Sequence, residues 1–150
     1  LSYPVFTRLM AMQNNAQSDP EAFKTDLQEL AILHQRNDPA AKLMRFLLDF
    51  NGLIELEGNE AQAALNDASD SNYALATFYK AAIYLENRRV ANSGTLYPVE
   101  AERYLSLLEQ ADRQGLSWAP ELIKLAKENL FFFNIADCRN FGFRVFIKYR

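Results

Sequence analysis

Tyr73-Ala-Leu-Ala-Thr-Phe-Tyr-Lys-Ala-Ala-Ile-Tyr-Leu85 is apolar on nearly every face, interrupted only by Thr77 and Lys80. Leu75, Phe78, Ala82 and Leu85 recur at helical spacing, and Ala76, Tyr79 and Ile83 form a second stripe beside them. A helix apolar on two adjacent faces needs neighbours on two sides, so it belongs inside a stack of helices. Two further helical patterns follow, over 98–114 and from Ser117 to about residue 130. The first is one-sided. Ala101, Tyr104, Leu105, Leu108 and Ala111 point inward, while Glu100, Glu102, Arg103, Glu109, Gln110 and Arg113 point outward. The stretch 87–97 between the strong helices reads as the longest loop.

Working back from that centre, the same start signal occurs twice. At Asp19-Pro20-Glu21 and again at Asp38-Pro39, Asp can cap free amides and Pro is preset for the first helical position. The helix after Asp19 places Phe23, Leu27, Leu30 and His34 on one stripe. The helix after Asp38 carries Leu43, Met44, Phe46, Leu47, Leu48 and Phe50, and Asn51-Gly52 stops it. An earlier helix, 4–17, turns Val5, Phe6, Leu9, Met10 and Met12 inward. Residues 52–59 read as a connector and 60–68 as a short helix, with Asp70-Ser71-Asn72 capping the central one. Turns of a few residues between such helices make antiparallel neighbours.

A buried helix followed by an amphipathic one, with Ala at the close contacts and Gly at the turn, is the unit of an α-solenoid. Ala111-Asp-Arg-Gln-Gly115-Leu-Ser-Trp-Ala119 resembles the junction of the Sel-like repeat, a relative of the tetratricopeptide repeat. Leu75-Ala76-Thr77-Phe78-Tyr79 is similar to that family's first-helix core, with Ala76 where Gly is usual, and 38–52 resembles a degenerate earlier copy. The resemblance covers about residues 38–130, with 1–37 as extra N-terminal helices and 131–150 as a cap or tail. It implies an all-α, right-handed superhelix of antiparallel helix pairs. The expected role is that of a bacterial-type adaptor, receiving a segment of another protein on a concave surface lined by first-helix residues.

Composition is compatible with this. The chain has 150 residues, 49% hydrophobic and 23% charged, as in a folded domain rather than a disordered one. The net charge of −3 argues against nucleic acid as the main partner. That charge is uneven: up to Leu130 there are 12 basic and 18 acidic residues, a net −6. Beyond it Arg139, Arg144, Lys148 and Arg150 against Asp137 give +3. No apolar run is long enough to predict a membrane span. The chain opens on Leu1 rather than Met, as a processed or excised chain would, and the compartment stays open between cytoplasm and bacterial envelope or secretion.

The chemistry-bearing residues are sparse. His34 is the only histidine, in the last turn of its predicted helix, where a cationic or hydrogen-bonding side chain suits free carbonyls. Asp26, Glu29 and Asp38 around it have no triad or metal spacing. Cys138 has no Cys or His at ligand spacing and reads as a packed thiol. Glu55, Glu57, Glu60, Asp67 and Asp70 form an acidic cluster without calcium-loop spacing, to be read as a solvated face or as a patch selecting a basic partner. No catalytic residue, metal or cofactor is therefore expected, and the chain is read as a non-enzyme.

Recognition residues are easier to nominate. Tyr79, Tyr84, Tyr97 and Trp118 belong to an aromatic set that is either core or interface anchor. Arg88 and Arg89 beside them could hold a carboxylate or phosphate, or cover the end of the central helix. An alternative reading is therefore a small-ligand pocket near Arg88, Arg89 and Tyr97. The tail alternates like a strand from Phe141 to Arg150 and loosely echoes an RNA-binding strand, though without a sheet to hold it. It is expected to cap the helices or to pair between copies of the chain.

Overall fold

In the computed structural model, residues 4–93 and 96–130 are described. Among them every regular element is a helix: α1 (Pro4–Ser18), α2 (Pro20–Gln35), α3 (Pro39–Phe50), α4 (Glu60–Asp70), α5 (Ala74–Ala91), α6 (Pro98–Arg113) and α7 (Ala119–Leu130). The chain gathers into two compact units, Leu1–Ser71 and Asn72–Arg150. The boundary falls between α4 and α5, inside the span of the repeat resemblance.

The first unit is built on α3, which packs against α1, α2 and α4. Both Asp-Pro signals start helices as expected. The Asp19 carboxylate accepts from the Ala22 amide at 3.2 Å, and Asp38 from Ala41 at 3.0 Å. Each such cap is worth about 1 kcal/mol. Ala41, Leu43, Met44, Phe46, Leu47 and Leu48 are buried, so α3 is enclosed on most sides. Phe50 stays half exposed at the helix end, stacked on Phe46 with centroids 5.9 Å apart. Residues 51–59 form the connector, one residue longer than the expected 52–59. Gly52 adopts φ +76° where the chain leaves α3, and the Asp49 carboxylate accepts from the Leu56 amide at 2.9 Å. Met10 and Ile32 face solvent, although Met10 was assigned to the inner side of its helix.

The second unit is built on α5 and α6, with α7 packed on α6. Leu75, Ala76, Phe78, Ala81 and Leu85 of α5 are buried, as are Ala101, Tyr104, Leu107, Leu108 and Ala111 of α6. Phe78 meets Trp118 edge-on at 4.5 Å, an arrangement worth about 0.5–1.5 kcal/mol beyond area burial. The α6–α7 junction closes tightly. Gly115 takes φ +101°, the Leu116 amide donates to the Ala111 carbonyl at 3.0 Å, and Ala111 and Ala119 are fully enclosed. Thr77 is buried and donates its hydroxyl to the Gln114 side chain, so the polar interruption of α5 is satisfied across the unit.

Four local expectations need correcting. The central helix runs to Ala91, so residues 87–91 are helical and not part of the expected loop. Arg, Glu and Asn do not break a helix in mid-course, and the stop comes only at Asn92 and Ser93, the latter at φ +51°. The start of α5 is capped by Tyr73 without a side-chain bond, and Asn72 spends its backbone freedom on a turn at φ +63°. Helix α7 opens at Ala119, two residues beyond Ser117, because Leu116 and Trp118 are first drawn into the core. Glu100, assigned to the outer face, is buried. The residues of the predicted tail, with Cys138 and any pairing between copies through Phe141 to Arg150, lie outside the described residues.

Candidate functional site

The most organised polar site among the described residues sits where α5 ends and α6 begins. Pro98 starts α6, which puts Glu100 at the third helical position, facing back over the helix start. Its Oε1 accepts from the Tyr97 amide at 3.0 Å and from the Asn92 side-chain amide at 2.7 Å. Arg88 Nε approaches Oε2 at 3.7 Å. Glu100 is only 8% exposed, and a buried carboxylate persists only when it is paired and hydrogen-bonded. The knot therefore ties the last turn of α5, the connecting turn and the first turn of α6 to one another.

Arg88 faces a carboxylate of its own unit. About two-fifths of the Arg88 side chain remains exposed, so its outer edge is still presented to solvent. Arg89 lies in the same turn of α5.

The nominated aromatics divide by burial. Tyr79 at 1% and Trp118 at 8% exposure are packing residues in the core of the second unit, with Phe78 between them. Tyr84 is half-buried. Tyr97 is 55% exposed, directly beside the Glu100 knot. Two residues absent from the sequence reading join it: Val90 in the last turn of α5, 65% exposed, and Val99 in the first turn of α6, 71% exposed. The structure thus brings Arg88, Tyr97, Val90 and Val99 to one end of the α5–α6 pair and leaves Tyr79 and Trp118 inside.

Sequence reasoning missed Asn92 and Glu100. A signal for Glu100 was available, since Glu at the third position after a helix start is the reciprocal half of a capping box. Asn92 carried none, being one polar residue in a stretch read as loop.

In the first unit the acidic cluster is partly spent on internal pairs. Glu60 meets Arg45 at 3.1 Å, and the buried Lys42 meets Asp67 at 3.4 Å. His34 lies in the last turn of α2 as expected, but three of the carbonyls there are taken by backbone amides. Ile32, Leu33 and His34 carbonyls accept from the backbone amides of Arg36, Asn37 and Asp38. Burial, then Arg45 and Lys42, hold the imidazole below its ordinary pKa of 6.5, with Asp67 and Glu60 pulling the other way. No group of three or more His, Cys, Asp or Glu among the described residues is placed to hold a metal ion. None of the described helices is long and apolar enough to cross a membrane.

No family model, curated protein or solved structure matches this chain.

Proposed function

We propose that this chain is a non-catalytic interaction module of Sel-like or tetratricopeptide-like helix pairs, stacked in the right-handed sense of those repeats. Its recognition surface is the end of the α5–α6 pair, and its partner is a segment of another protein. The observation that carries this reading is the exposure of Val90, Tyr97 and Val99 around a buried, fully engaged carboxylate. An exposed aromatic and two exposed aliphatics held on a rigid base supply the anchor-and-rim pattern of protein recognition. The closing of α6 onto α7 through Ala111, Gly115 and Ala119 supports the repeat reading, because that junction is what the resemblance rests on.

A small-ligand pocket at Arg88, Arg89 and Tyr97 is the weaker reading. Arg88 already faces Glu100, and an anionic ligand would have to compete with a carboxylate held by two further hydrogen bonds. Affinity capture from native lysate separates the two. The intact chain should recover a protein that Tyr97→Ala/Val99→Asp fails to recover, both chains being equally folded. Equal recovery by the double variant would move recognition elsewhere. A small-molecule thermal shift abolished by Arg88→Ala would favour the pocket.

A further inference from the structure

His34 lies at the corner where α2 turns into α3, in the unit remote in sequence from the proposed recognition surface. Its Nδ1 is enclosed and has no hydrogen-bond partner. A neutral imidazole tolerates this by carrying its proton on Nε2, so that Nδ1 is a bare acceptor. A protonated ring would instead bury an N–H donor with nothing to receive it, which costs more.

The surroundings do not compensate. On α3, Lys42 and Arg45 are the charged neighbours, and on α4 they are Asp67 and Glu60. Both carboxylates are already engaged by those same two cations, at 3.4 and 3.1 Å. On α1 the only charged side chain is Arg8, which reaches Glu29 at 3.9 Å, more than a turn earlier along α2. On the corner itself Asp38 is occupied capping Ala41. The Ile32, Leu33 and His34 carbonyls at the end of α2, where a cation is ordinarily favoured, accept from the turn amides.

We infer that His34 is a proton-sensitive lock at the α2–α3 corner, neutral while the first unit is closed, whose protonation loosens α2 from α3. The sign follows from linkage. The folded chain binds the proton less readily than the unfolded one, so the stabilisation is complete above the ordinary histidine value. It is lost as pH falls through that value toward the depressed folded one.

Because the chain has one histidine, its imidazole titration is resolved directly by NMR. The midpoint should lie below 6.5, and a midpoint at or above 6.5 overturns the lock. A second readout is the hydrogen-exchange protection of the Arg36, Asn37 and Asp38 amides between about pH 7.5 and 5.5. One linked proton lowers protection by at most about tenfold per pH unit. Protection should fall in the wild-type chain and hold in His34→Gln, and equal falls in both would overturn the inference. Should His34→Gln not fold, the wild-type titration alone decides.

Discussion

The two units solve the same problem, burying one face of each helix, with different materials. The first encloses α3 in a largely aliphatic core and leaves the carboxylate ends of its pairs, Asp67 facing the buried Lys42 and Glu60 facing Arg45, more than half exposed. The second packs Phe78, Tyr79, Tyr104 and Trp118 into its interior and takes a carboxylate in with them. Exposed ion pairs are worth little, because water and salt screen them and two long side chains must be held still. A buried carboxylate with two hydrogen bonds and a cation fixes a conformation instead, since every alternative leaves a charge unpaired. The difference teaches where a buried charge fixes the local geometry: at the α5–α6 end, where Val90, Tyr97 and Val99, among the most exposed of the described large apolar side chains, also lie.

That contrast can be broken at several points. Trp118→Ala should have the largest effect, about 3–5 kcal/mol of stability in urea denaturation, because it removes the edge-on partner of Phe78 and the lining between α6 and α7. Exchange protection should fall across α5, α6 and α7. Glu100→Ala comes next, at about 1–3 kcal/mol, since it leaves the Tyr97 and Asn92 amides without their acceptor. Glu100→Gln keeps an acceptor oxygen in place and should lose less. If Gln and Ala cost the same, the hydrogen bonds of the knot are not what holds it. Arg45→Ala should be the mildest, within about 1 kcal/mol, and its effect should shrink further in high salt. A cost for Arg45→Ala equal to that of Glu100→Ala would erase the distinction between the units.

Much of this fold was legible in the sequence where one local rule acted alone. The Asp19-Pro20 and Asp38-Pro39 starts, the Asn51-Gly52 stop and the apolar faces of α3 and α5 are each set within a few residues, by capping geometry or helical period. The C-terminal third of α5 was not, because Glu86 to Ala91 lacks the apolar period that marks a helix, although nothing in it breaks one. The inward turn of Glu100 was hidden for another reason. Its outward placement on the helical wheel is right for a solvated acid, and the groups that bury it come from 8 and 12 positions earlier, across a turn. Tyr79 and Trp118 show the converse limit. An aromatic at helical spacing serves core or interface equally well until its neighbours are known, and Phe78 decided both for the core. Tyr97, Val90 and Val99 could be placed at one end of the α5–α6 pair only with the true end of α5.

The proposed recognition surface is tested most directly by hydrogen exchange on the captured complex, compared with the free chain. The account predicts new protection confined to the last turn of α5 and the first turn of α6, around Val90, Tyr97 and Val99. Protection that falls on α1 to α4 and spares this end would contradict it.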